Sequence, residues 1–144
     1  MNIFLQGIYS FFCVFGFSIM FNIPRKHVLL ASLNGAMGWI VYALLQNSAA
    51  SFIVPPLVGS IVVGIIGEIS AIKNKQPATL FIIPGIIPFV PGYGIYTTMF
   101  HVINDDFSLA IVSGTESIFV AVSIACGVVI ATSLVRQIKI TFPA

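Results

Sequence analysis

The sequence predicts an all-α integral membrane protein of about five transmembrane helices, the fourth broken by a Pro/Gly-rich segment, with the N-terminus outside and the C-terminus cytoplasmic. Three observations carry this expectation. Of 144 residues, 58% are hydrophobic and only 7% charged, with a mean hydropathy of +1.09, whereas a soluble domain is about a quarter charged. The apolar residues gather in stretches close to the roughly 20 that cross a hydrocarbon core of about 30 Å. The basic residues recur only in alternate connections.

The predicted spans are 4–21, 28–45, 52–72, 78–102 and 109–130, in a single membrane domain, 1–144. The first lacks the basic n-region and small-residue cleavage site of a signal peptide, so it is read as a retained span. Its partners follow from charge. Arg25 and Lys26 separate spans one and two, Lys73 and Lys75 separate three and four, and Arg136 and Lys139 follow five. Lys and Arg accumulate in cytoplasmic loops, and five crossings put all six on one side, with Asp105 and Asp106 on the other. A fourth segment that turned back would leave Lys75 and Arg136 on opposite faces, so it is expected to cross.

Several function classes fall away. Six basic residues spread over three loops make no patch for nucleic acid. No GxxxxGK[ST] loop is present, and no Ser/His, paired-Asp or metal-ligand constellation points to an enzyme, a cofactor or a metal. Cys13 and Cys126 lack CxxC spacing and read as small buried hydrophobes. His27, after Arg25 and Lys26, reads as part of a solvated loop, and His101 lies next to the outer boundary.

Helices in lipid associate through small residues that allow close approach. Span three aligns Ser60, Gly64, Gly67 or Glu68, and Ala71. Span two offers Ala31 with Gly35, Ser32 with Ala36, and Asn34 with Gly38. Span five aligns Glu116, Ser123, Gly127 and Ala131. Ordinary packing accounts for most of these, but the carboxylates stand apart. An ionisable group inside the membrane costs about 2.5 to 3.5 kcal/mol near its centre and faces a cavity or a partner. Glu68, about 7 Å from the inner boundary by helix rise, and Glu116, toward the outer side, are proton-coupling candidates; the alternative is an interfacial carboxylate that snorkels to water or pairs with a basic residue of a neighbouring chain.

The stretch "IIPGIIPFVPGYGIY" (82–96) is the most informative. Proline lacks an N–H and clashes with the carbonyl four residues earlier, so Pro84, Pro88 and Pro91 together predict an opened backbone from Pro84 to Gly92. Such backbone is tolerated in a bilayer only inside protein or beside water. A second half-helix starting near Pro91 would present free N–H groups from Gly92 to Ile95, a carboxylate-binding helix end near mid-membrane. The substrate-binding candidates are Pro84, Gly85, Pro88, Pro91, Gly92, Tyr93, Gly94 and Tyr96. Asn34 joins them, with an interhelical hydrogen bond as its other reading. The alternative for the whole segment is a structural kink.

Two stretches, "GFSIMFNIPRKHVLLASLNGAMGWIVY" (16–42) and "QPATLFIIPGIIPFVPGYGIYTTM" (76–99), resemble the small, C-terminal half of the bacterial threonine/serine exporter family. The phrase from Phe21 to Arg25, the Gly35, Gly38 and Trp39 cluster, and the run from Pro84 to Gly92 followed by Tyr96 carry the resemblance. In that family the halves occur fused or as separate small and large subunits, exporting threonine and serine and, in some split pairs, succinate. The resemblance therefore implies a separate large subunit as partner.

Together these readings lead to an expected function. The chain is expected to be the small subunit of a two-component, proton-coupled secondary exporter (an antiporter) of threonine/serine or a related small carboxylate such as a C4 dicarboxylate. It would lie in the bacterial cytoplasmic (inner) membrane as a hetero- or homo-oligomer. The alternative is a non-transporting assembly or stabilising subunit.

Overall fold

The computed structural model describes the backbone of residues 2–48 and 51–141, and the side chains of all of these except 48 and 139–141. Six helices follow in order: α1 (Ile3–Met20), α2 (Arg25–Ser48), α3 (Val54–Asn74), α4 (Thr79–Ile86), α5 (Gly92–Ile103) and α6 (Phe107–Thr141). A 3-10 turn, Ile87–Phe89, extends α4. No strand occurs among the described residues. Helices α1, α2, α3 and α6 are each long and apolar enough to cross a bilayer, and α4 with its turn and α5 qualify together as a pair bent by 48°. The protein is a multi-pass, all-α membrane protein with four or five candidate spans.

Close approaches give the helix directions. A Cβ built on Gly7 of α1 would lie 3.0 Å from the Ile40 side chain of α2, and one on Gly35 would lie 2.5 Å from Val14 Cγ2, so α1 and α2 are antiparallel. Helix α2 runs antiparallel to α3, with Gly38 beside Gly59 and Asn34 bonded to Val63. Helix α6 runs parallel to α3: Gly127 abuts Leu57 and Ser60, Gly64 abuts Ala131, and Arg136 meets Glu68. The chain therefore enters α6 at the end where α3 began. Between them, α4 and α5 carry it from one end of the bundle to the other. This gathers Arg25, Lys26, Lys73, Lys75 and Arg136 at one end and Asp105 and Asp106 at the other.

The connections are short and turn on left-handed residues, Asn22 (φ 55°), Lys75 (φ 52°) and Asp105 (φ 59°), a common way of ending a helix. Helix α4 occupies the middle, against α1, α2 and α3. Glycine makes this possible: a Cβ on Gly35 would sit 3.2 Å from the Cα of Gly85, leaving room for no larger residue without displacement. Phe81 packs with Ala31 and Ala71, and Phe89 with Val63, Ile82 and Ile124. Helix α5, by contrast, leans on α6 and has no buried residue.

The break is narrower than the prolines suggest. Pro84 lies inside α4, because its φ is helix-compatible and its missing donor deprives a single carbonyl of its partner. Pro88 falls in the first turn of the 3-10 segment, where no donor is needed, and Ile87 N–H bonds back to Pro84 O. The backbone leaves helical geometry only at Val90, with φ −56° and ψ 128°, and at Pro91. Its φ −75° and ψ 55°, with Gly92 N–H donating to Val90 O at 2.7 Å, make an inverse γ-turn.

Three further expectations change. Cys13 and Cys126 are exposed, not buried, since a small apolar side chain in lipid gains nothing by facing inward. His27 lies in the first turn of α2 and is 4% exposed, edge-on to Phe81 at 5.7 Å, rather than in a solvated loop. The small residues of α3 divide between two faces: Ser60 and Gly64 meet α6, while Gly67 meets Ile82 of α4.

Candidate functional site

The turn at Pro91 opens onto a cavity of about 620 Å³ between α2, the bent pair and α6. Its floor is the segment from Pro88 to Gly94. Trp39 and Tyr42 of α2 form one wall, stacked on each other and against Phe89. Ser113, Glu116 and Ser117 of α6 line another, with Thr97 and His101 of α5 and Phe52 toward the acidic end. Gly92 lies eleven residues before Ile103 and Glu116 nine after Phe107, about 16 and 14 Å by helix rise. The turn and the carboxylate are thus at matching depth, and that depth is level with the start of α3, since Phe89 abuts Gly59 and Phe52 meets Phe119.

The first N–H groups of a helix lack intrahelical acceptors. In α5, Gly92 N–H is taken by Val90 O and Ile95 N–H by Pro91 O at 3.0 Å. Tyr93 and Gly94 N–H are left without a backbone acceptor among the described residues. Nearby hydroxyls donate to helix carbonyls: Thr98 Oγ1 to Gly94 O at 2.7 Å, Thr97 Oγ1 to Gly94 O at 3.0 Å, and Ser117 Oγ to Ser113 O at 2.8 Å. Their oxygens remain able to accept. A Cβ on Gly94 would collide with the Ser117 hydroxyl, so glycine there lets α5 and α6 touch beside the cavity. Glu116 is exposed and makes no ion pair among the described residues. The cavity therefore offers backbone donors from one element, a carboxylate from another and aromatic walls between. No cluster of metal-ligating side chains occurs among the described residues.

Of the sequence candidates, Pro88, Pro91, Gly92, Tyr93, Gly94 and Glu116 share this cavity. Pro84 and Gly85 lie in the packed core, where a Cβ on Gly85 would be 2.8 Å from Val63 Cγ1. Tyr96 faces outward at 64% exposure, stacked on Phe100. Asn34 is buried, its Nδ2 donating to Val63 O at 3.1 Å and Phe81 O at 3.2 Å, and so ties α2 to α3 and α4. Its Oδ1 has no partner. Glu68 is buried toward the basic end, 3.7 Å from Arg136 Nε, remote from the cavity lining.

Sequence reasoning missed Trp39, Tyr42, Phe52, Thr97, Ser113 and Ser117 as lining residues. The serines carried a legible signal, flanking Glu116 one turn apart on α6. The aromatic residues did not, because aromatics also occupy many outward-facing positions of α1, α5 and α6.

The family described as "Threonine/Serine exporter, ThrE" matches residues 6–134. A Corynebacterium glutamicum protein named "Threonine/serine exporter" is 28% identical over 117 residues, covering 78% of this chain and 23% of its own length. An uncharacterized protein of Haemophilus influenzae is 24% identical over 118 residues, covering 80% of this chain and 40% of its own. The chain thus spans between about a quarter and two fifths of these relatives. No solved structure matches it. Since the match runs from the first turn of α1 to the last third of α6, the chain belongs to the threonine/serine exporter family.

Proposed function

We propose that the chain is the small part of a two-component secondary exporter of threonine or serine in a bacterial cytoplasmic membrane, with a C4 dicarboxylate as the second substrate class. A separate large subunit supplies the remaining helices. The observation that carries this reading is the cavity at the α4–α5 turn, with the Tyr93 and Gly94 N–H groups and Glu116 at one depth.

That arrangement complements a zwitterion. The substrate carboxylate takes the unpaired N–H groups at the start of α5, where the helix dipole favours an anion. Its ammonium faces Glu116, and its hydroxyl meets the Ser113 and Ser117 side. Glu116 exchanges a proton with the acidic end, which the lining reaches at Phe52 and His101, so substrate and proton compete for one carboxylate, as antiport requires. In this reading α4 and α5 are one broken span, the basic end is cytoplasmic and the N-terminus lies outside.

Export of threonine, serine and succinate, measured in cells expressing this chain with its large partner, tests the proposal. Gly92→Leu is the sharpest variant, because no atom lies within 4 Å of a Cβ there and the fold tolerates the new side chain while it crowds the cavity. Gly92→Leu, Pro91→Ala and Glu116→Gln are each expected to lower export at unchanged protein level. Normal export by all three would sink the binding role. One observation favours a stabilising role instead: α5 has no buried residue in this chain and leaves the side turned away from α6 for a partner. Photo-crosslinking of labelled substrate separates the two, since a scaffold leaves label only on the partner.

A further inference from the structure

The end of the bundle that carries the cations is electrically one-sided. Its one carboxylate among the described residues, Glu68, is already met by Arg136. Arg25 and Lys26 are exposed at the start of α2, whose first turn holds no acidic residue. Neither they nor Lys73 and Lys75 make an ion pair among the described residues. Asp105, Asp106 and Glu116 belong to the opposite half.

Beneath Arg25, with Lys26 next to it in sequence, lies a groove of about 700 Å³ between α1 and α2. Phe15 and Ile19, one turn apart on α1, form one side, and Val28 and Leu29 of α2 the other; Asn22 and Arg25 close its top. Ile19 and Leu29 are outward-facing, 58% and 59% exposed, so the groove opens to lipid. An apolar slot running into the membrane from a guanidinium matches an acyl chain below a phosphate. Any phospholipid fits the slot, but a choline headgroup brings its own cation to Arg25 and Lys26. A net-negative headgroup relieves the uncompensated charge instead, and basic pockets between helices at a membrane surface select such lipids.

We propose that this groove is a binding site for an anionic phospholipid, its headgroup phosphate held by Arg25 and Lys26 and one acyl chain lying between α1 and α2. The site is independent of the transport reading and stands or falls without it.

Native mass spectrometry of the purified full chain, given equimolar phosphatidylglycerol and phosphatidylcholine, tests the proposal. About fivefold or greater retention of phosphatidylglycerol is expected, from the attraction of a basic residue near a membrane surface. Arg25→Gln with Lys26→Gln should bring the ratio near unity, while Arg25→Lys and the pair Lys73→Gln, Lys75→Gln keep the preference. Ile19→Gln with Leu29→Gln, both outward-facing, should lower retention by spoiling the slot. Excess inorganic phosphate should displace nothing. Equal retention of the two lipids by the unaltered chain would overturn the proposal. So would a loss of preference just as large in the Lys73 and Lys75 variant, undiminished retention in the Ile19 and Leu29 variant, or displacement by phosphate.

Discussion

Gly127→Ala probes the packing on which the helix directions rest. A Cβ at position 127 would overlap the Ser60 hydroxyl and stand 2.6 Å from Leu57 O, whereas ordinary contact begins at 3.4 Å. Ser60 can swing aside, giving up its 2.9 Å bond to Leu57 O. The Leu57 carbonyl is backbone and cannot. Helix α6 must therefore retreat by about 0.8 Å, the difference between those two distances, which also loosens Gly64 against Ala131. Overpacking of this kind costs about 1 to 3 kcal/mol. The check is the apparent melting temperature of the detergent-purified chain, followed by size-exclusion chromatography after heating. Gly16→Ala and Gly92→Ala serve as controls, because neither Cβ would find an atom within 4 Å; both should melt at or slightly above the unaltered chain, given the better helix propensity of alanine. Adding Ser60→Gly to Gly127→Ala should restore only part of the loss, since Leu57 O remains. The reasoning fails if Gly127→Ala melts with the unaltered chain, or if Gly16→Ala falls as far.

Other consequences are equally direct. Gly64→Cys with Ala131→Cys, in a chain whose Cys13 and Cys126 are serine, should form an intramolecular disulfide after about 1 Å of separation, because the Cβ atoms start 2.5 Å apart and a disulfide needs about 3.5 to 4.5 Å; failure to oxidise would refute the parallel α3–α6 register. Arg136→Gln should destabilise more than Glu68→Gln, on the order of 1 kcal/mol, since it leaves the buried carboxylate unopposed while the reverse change leaves an exposed guanidinium; equal thermal shifts would count against the pair. Asn34→Ala removes two interhelical bonds worth about 0.6 kcal/mol each, and a melting temperature unchanged by it would mean that α2, α3 and α4 are held by packing alone.

The positions that sequence reasoning read well are those where local chemistry acts through the backbone. Pro91 followed by Gly92 predicted a helix start, and α5 begins at Gly92. Alternating Lys and Arg loops predicted that Lys75 and Arg136 share an end, and the parallel α3–α6 contacts agree. Orientation toward neighbours was less legible. Tyr96 shares the proline run but faces away from the cavity, and Glu68, read with Glu116 as one of two proton-coupling candidates, has Arg136 for a partner. His27 looked solvated because it follows two cations, yet Phe81 of α4 packs against it and helps to bury it.

By itself, then, the sequence determined the membrane class, the alternation of basic and acidic connections, the place where a helix must restart and the family. Each follows from composition, charge or covalent geometry. Only tertiary structure decided that Pro84 stays inside a helix, that Glu116 and not Glu68 lies at the turn, and that serines and aromatics from three helices enclose it. The physical reason is the solvent. In water an apolar stripe announces which face of a helix turns inward, but in lipid both faces are apolar, and the inward face is chosen by small residues such as Gly35, Gly85 and Gly127, whose effect depends on what stands opposite.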